Sequence, residues 1–287
     1  MKKFTALLLS LLMLVTVLPV LAEGELYTVE DIVIDAGDHQ IPATLTLPIG
    51  GEDETFPAVV MLHGNGSNRH EAGNGYDLMA PAFAEMGIAS LRFDYIGNGD
   101  STTDYLEFTH EKGVEDALTS LAYLKEHAKV DPERIGIMGW SQGGGIALVA
   151  ASRDESFKSV ATWAGALYDG TIDEDAYAQA QQNGHYESTY EWRDPLKLSP
   201  AYFEVLKTFI VADAIPKIKA PIYAINGADD TVVPPETAET IKSLSTNPDS
   251  QVLIMEGADH TFNIFTGDMS KFTQLVDETM FWFVQTL

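Results

Sequence analysis

Gly139, Gly143, Gly144 and Gly145 crowd into one short stretch of the chain. The stretch joins an apolar run, Arg134–Trp140, to a run of small and apolar residues, Gln142–Ser152. A continuous apolar run of that length is a strand covered on both faces. A small-residue run directly after it is a helix packed tightly on the sheet. Glycines at the junction let the two backbones pass where a Cβ would clash. A strand, a tight turn and a closely packed helix in this order belong to α/β architecture, which narrows the fold before composition is considered.

The rest of the chain repeats the alternation. Leu26–Ile34 and Gln40–Leu47 read as an antiparallel hairpin around Ala36-Gly37-Asp38. Pro57–His63, Ile88–Phe93, Ser159–Ala164, Pro221–Asn226 and Gln251–Met255 are further short apolar strands. Helical spacing marks Asp77–Met86, which stops at Gly87. It also marks Glu111–Ala128, with its stripe of Val114, Leu118, Leu121 and Leu124, and the final Ser270–Leu287. The expectation is an α/β fold, with a mainly parallel central sheet and helices on both faces. Residues 165–215 break the pattern. They show no strand–helix unit and are rich in Tyr, Gln, Asp and Glu, with Tyr168, Tyr186, Tyr190, Trp192, Tyr202 and Phe203 needing cover. They are expected to form an inserted cap, which leaves 23–164 and 216–287 as the core.

The N-terminus reads as an address. Lys2 and Lys3 precede an apolar run from Phe4 to about Leu18, then Pro19 and a small residue at Ala22. This is the layout of a signal peptide over residues 1–22, with cleavage expected after Ala22 and export from the cytoplasm. The chain contains no cysteine, which removes a thiol-linked lipid anchor, a disulfide scaffold, a Cys-liganded metal and a cysteine nucleophile. With 43 acidic against 17 basic residues, the formal charge is −26. That field repels phosphate backbones and anionic membranes, so neither nucleic acid nor a stable membrane anchor is expected. No H-E-x-x-H or comparable ligand cluster appears, and no metal or other cofactor is implied.

Gly139-Trp140-Ser141-Gln142-Gly143 matches G-x-S-x-G. Between a strand and a helix, that pattern places a serine hydroxyl on a sharp turn at the carboxyl edge of the sheet. A serine nucleophile needs an imidazole to take its proton and a carboxylate to orient the ring. Only His185 and His260 follow Ser141, and only His260 lies just past a strand. Asp229 and Asp230 follow the preceding strand, and Asp230, three residues before Val233, is preferred. Asp229 reads as a loop hydrogen-bonder. Ser141, Asp230 and His260 would then hang from one sheet edge, where open α/β sheets place their sites. Acyl transfer also needs two donors for the developing oxyanion. The backbone N–H of Gln142 is one. Asn65, between Gly64 and Gly66 after the strand Pro57–His63, is the other. His63 and Asp94 read as loop-bracing residues.

These motifs, with Arg92-Phe93-Asp94-Tyr95, Gly97, Gly99 and Ser101, resemble the α/β-hydrolase superfamily, and most closely its bacterial cinnamoyl/feruloyl esterase-like branch. The resemblance spans roughly residues 57 to 287. It implies a serine esterase acting through Ser141, Asp230 and His260, with a small inserted domain shaping an acyl pocket for a hydroxycinnamoyl or short-chain ester. That branch usually has His before the serine, where this chain has Trp140. A serine peptidase or acylaminoacyl-type hydrolase on the same triad, and a binding protein that has lost the chemistry, remain as alternatives.

Overall fold

The computed structural model describes residues 26–190 and 193–287. The expected signal peptide and Trp192 lie outside them. Ten strands follow in chain order: β1 (Tyr27–Asp35), β2 (Gln40–Pro48), β3 (Phe56–Leu62), β4 (Ala89–Phe93), β5 (Val130–Trp140), β6 (Phe157–Trp163), β7 (Tyr186–Ser188), β8 (Leu196–Leu198), β9 (Ile222–Gly227) and β10 (Gln251–Met255). Seven α-helices alternate with them: α1 (Gly75–Glu85), α2 (His110–Glu126), α3 (Gln142–Arg153), α4 (Glu174–Asn183), α5 (Pro200–Leu206), α6 (Glu236–Leu244) and α7 (Ser270–Thr286). Eight strands form one sheet in the order β1-β2-β4-β3-β5-β6-β9-β10. The β1–β2 hairpin joins β4 antiparallel, and every other neighbouring pair is parallel. The expected mainly parallel α/β sheet is therefore observed.

Successive strand residues point to opposite faces, and the core divides accordingly. On β3, Ala58, Val60 and Leu62 face α2, α3 and α6, while Val59 and Met61 face α1 and α7. Each face is sealed by an apolar helix stripe: Val114, Ala117, Leu121 and Leu124 of α2 on one side, Phe272, Leu275, Trp282 and Phe283 of α7 on the other. Helix starts follow from local chemistry. Thr109 caps α2 by accepting the Lys112 N–H at 3.2 Å. Ser199 caps α5 with Pro200 in its first turn, where proline's missing N–H has no helical partner to lose.

Three features differ from the sequence expectation. Strand β5 begins at Val130, not Arg134, because residues 131–134 bulge opposite Pro57 before the register resumes at Ala58↔Ile135. Helix α6 is an element that the sequence pattern does not announce, and only Ala238 and Ile241 of its nine residues are buried. The described part of residues 165–215 contains two α-helices, a short 3-10 turn at Val211–Asp213 and a two-stranded antiparallel ribbon, β7–β8, separate from the main sheet. Tyr202 and Phe203 of this segment are buried. The Tyr202 ring closes onto Phe108 and His110, Tyr168 meets His110 edge-on at 4.4 Å between centroids, and Phe203 packs edge-on against Tyr202 at 5.5 Å.

Phe283 is wholly buried and meets Phe83 of α1 edge-on at 5.5 Å between centroids. Phe283→Ala is expected to destabilise the fold by about 3–5 kcal/mol, read from the midpoint of urea unfolding at constant m-value.

Candidate active site

Strand β5 ends in a turn that the sequence could not relax. Ser141 has φ 54° and ψ −119°, a conformation rare for any residue with a Cβ. Neighbouring backbone holds it there. The Ser141 N–H donates to Trp163 O at 2.8 Å, and Ser141 O accepts from Gly144 at 3.0 Å and Ala166 at 2.9 Å. Glycine at 143 is obligatory, since a Cβ there would lie 2.3 Å from Leu62 O. The end of β3 is thus brought against the turn, and the loop after β3 reaches Ser141. The serine itself remains partly exposed.

The loops after β9 and β10 meet beside it. Asp229 N donates to Ala258 O at 2.9 Å, and the two loops approach so closely that a Cβ at Gly227 would sit 2.2 Å from Ala258 O. His260 bridges serine and carboxylate, with Nε2 3.1 Å from Ser141 Oγ and Nδ1 2.8 Å from Asp230 Oδ2. An ionised Asp230 accepts only, so it holds the proton on Nδ1 and leaves Nε2 bare toward the hydroxyl. The Asp230 carboxylate is fully buried but well supplied. Oδ1 accepts the Val232 and Val233 N–H groups at 2.8 and 2.9 Å, and Oδ2 also accepts from Asn226 Nδ2 at 3.2 Å. Asp229, by contrast, is exposed.

The His260 loop is braced from two sides. Asp259 Oδ1 accepts from Thr261 N, Thr261 Oγ1 and Asn263 N between 2.8 and 3.0 Å. Trp140 Nε1 donates to the His260 carbonyl at 3.1 Å, so the tryptophan before the serine anchors the loop that carries the histidine. Sequence reasoning marked Trp140 only as a departure from the family pattern.

Gln142 follows the serine and Asn65 follows Gly64, which lies against Ser141, and no protein group among the described residues takes the backbone N–H of either. The Asn65 side chain is clamped, its Nδ2 donating to Tyr190 Oη at 3.1 Å and its Oδ1 accepting from Tyr105 Oη at 3.3 Å. Arg193 Nη1 donates to the carbonyls of Asn65 and Gly66. Sequence reasoning did not find Tyr105, Tyr190 or Arg193 as supports, because their links to Asn65 span 40 or more residues. His63 is buried away from the serine. Burial lowers its pKa to about 4, so the ring is neutral, with Nδ1–H donating to Gly64 O at 2.8 Å and Nε2 accepting the Tyr95 N–H at 3.3 Å. No group of three or more ligating side chains comes together among the described residues.

Such a sheet, with a strained serine at the end of its fifth strand, defines an α/β-hydrolase fold. The chain belongs to the prolyl oligopeptidase family, which matches residues 74–287. It is 33% identical over 131 residues to the quorum-quenching protein AidA of Acinetobacter baumannii, covering 45% of this chain and 41% of that one. It is 26% identical over 266 residues to esterase EstD of Thermotoga maritima, covering 85% of this chain and 62% of that one. The chain spans about two fifths of the length of the first curated relatives it matches. The structure of Est1E from Butyrivibrio proteoclasticus, solved with ferulic acid, superposes with TM-score 0.71 at 22% identity over 87% of this chain and 98% of that one. PA2218 from Pseudomonas aeruginosa superposes with TM-score 0.76 at 18% identity over 92% and 95% of the two chains. Both likenesses are of fold, and they bear out the α/β-hydrolase fold expected from the motifs.

Asp94, at the end of β4, is wholly buried and braces the neighbouring loops. It accepts the backbone N–H groups of Arg69 and Asp100 at 2.6 and 2.9 Å and pairs with the Arg69 guanidinium. Asp94→Ala leaves that guanidinium beside an empty acceptor site. A loss of about 3–5 kcal/mol in urea unfolding is expected.

Proposed function

We propose that this protein is an exported serine hydrolase of carboxylic esters. The carrying observation is the unbroken sequence of hydrogen bonds from Ser141 Oγ through His260 to Asp230, beside two backbone N–H groups with no acceptor among the described residues. Ser141 Oγ attacks the acyl carbon as its proton passes to His260 Nε2. Asp230 stabilises the resulting imidazolium through Nδ1–H. The N–H groups of Asn65 and Gln142 receive the developing oxyanion, and each such donor is worth roughly 100- to 1000-fold in rate. His260 then gives its proton to the departing alcohol. Water, deprotonated by the same imidazole, attacks the acyl-enzyme and releases the acid.

The aromatic side chains around this site favour an acyl group with a flat or short apolar body. Tyr105 and Tyr190 clamp Asn65, and Phe108 stacks on Tyr105 at 5.3 Å between centroids. The ferulic acid bound to Est1E is a hydroxycinnamic acid, which supports hydroxycinnamoyl esters as one substrate class to test. The prolyl oligopeptidase match supports a second reading, cleavage of aminoacyl or peptide bonds on the same three residues. Such substrates need carboxylates to hold an amino terminus. In residues 165–215, Glu174 pairs with Lys207 and Glu204 accepts from Tyr177, so these two are already engaged.

Ser141→Ala is expected to lower kcat on p-nitrophenyl acetate by about a million-fold with an unchanged melting curve. Turnover retained by that variant would refute the assignment. An active wild type that prefers aminoacyl amides to short p-nitrophenyl esters and methyl ferulate would shift the reading to a peptidase. Export with processing after Ala22 predicts a secreted chain beginning at Glu23, read from intact mass; a mass that still includes Met1 to Ala22 would overturn it.

A further inference from the structure

Glu71 has no part in the reaction as described, yet its carboxylate reaches into the site. Gly64 N donates to Glu71 Oε2, and Ala72 N donates to Oε1 at 3.0 Å. A Cβ at Gly64 would lie 3.6 Å from both carboxylate oxygens and 3.6 Å from Ser141 Cβ. The carboxylate and the serine therefore flank the same Cα, one residue before Asn65. Glu71 is held in this position at a conformational cost: its φ is 61°, with ψ 179°, a combination usual only for glycine. Its own N–H is fixed by Asn68 O at 2.9 Å.

We propose that Glu71 is a positioning residue of this site, whose carboxylate holds the Gly64 N–H and so sets the loop that presents the Asn65 N–H to the oxyanion. The inference rests on the esterase reading above. Although Glu71 keeps part of its surface exposed, desolvation of its carboxyl raises its pKa to about 7, against the lowering effect of the Gly64 and Ala72 N–H groups and Ser67. The titratable groups that feel its charge are His260 from the loop after β10, Tyr76 of α1 and Tyr95 from the loop after β4. An ionised carboxylate is the stronger acceptor, so the loop is held most firmly above that pKa.

The test compares wild type with Glu71→Gln on p-nitrophenyl acetate across pH. The amide keeps an acceptor of the same shape but cannot ionise. At pH about 8, kcat is expected to fall about 10- to 100-fold in the variant while KM stays within about threefold, since a misplaced donor harms the transition state more than binding. The wild-type rise in kcat through pH about 7 should lose the part contributed by Glu71. Unfolding cannot mimic this result. A carboxyl whose folded pKa is raised from 4.5 to about 7 weakens folding progressively as pH climbs through that interval, so Glu71→Gln should melt no lower than wild type at alkaline pH. A variant whose kcat and pH profile match wild type within about twofold overturns the proposal. Should the variant fail to fold, the wild-type Gly64 amide proton decides by NMR. It should shift with a midpoint near 7, and a resonance that stays fixed between about pH 5 and pH 9 overturns the proposal equally. Wild-type protein that turns over no ester removes the proposed function and this inference with it. An active wild type with an indifferent variant removes only the inference.

Discussion

The turn at Ser141 is the constraint on which the rest of the site depends. A residue with φ 54° and ψ −119° persists only where its surroundings over-determine it. Here strand β6 holds its N–H, the first turn of α3 and Ala166 hold its carbonyl, and glycine at 143 removes the one side chain that would keep β3 away. The strain belongs to a packed sheet with a helix layer on each face, and the buried apolar surface of that core offsets it. Relaxing the turn would move the hydroxyl and would also part the ends of β3, β5 and β6. The same close approach that fixes the serine therefore also fixes the loop carrying Asn65.

Buried carboxylates supply the second layer of order. In a chain with a strong excess of acid, Asp94 and Asp230 are taken almost fully out of water at the edge where the site lies. Each is matched mainly by backbone N–H groups, with one cationic or imidazole partner added. Backbone donors cannot rotate away, so a carboxylate tied to two of them locks the course of a loop as well as satisfying itself. Asp230 locks the loop after β9 while orienting His260, and Asp94 locks the loops after β3 and β4. The loops are irregular but not loose, because their turns are closed by interior charge.

Much of this was legible from the chain. Strands β3, β4, β6 and β9 are buried on both faces and read as plain apolar runs, while β10, at the sheet edge, shows through its own short apolar run although only Met255 is fully buried. The partners of Ser141 were legible because topology brings the ends of parallel strands to one edge, so a His and an Asp just past two later strands were the natural candidates. The bulge opening β5 was hidden by Asp131-Pro132-Glu133, which reads as a turn and sits in the strand only because its partner pauses there. Helix α6 buries too few side chains for a period to show. Strands β7 and β8 have three residues each, less than any alternation needs. Asp230 differs from Asp229 through a pair of N–H groups, at Val232 and Val233, that exist only once the loop has turned.

Supports around the site were least legible, and Trp140 shows why. As a residue type it is apolar bulk at the end of a strand, and its ring indeed packs against Trp163, Phe262 and Phe272. Its one polar atom, however, reaches the carbonyl of His260, across 120 residues of sequence. Phe262 and Asn263, just after the histidine, both have positive φ, so that loop doubles back and needs an anchor outside itself. A histidine in place of Trp140 would present a much smaller ring to the three aromatic neighbours. The change from the family pattern is thus a packing change with a consequence for chemistry. The aromatic cluster around Trp140 helps fix the loop that carries the imidazole, and with it where His260 stands against Ser141.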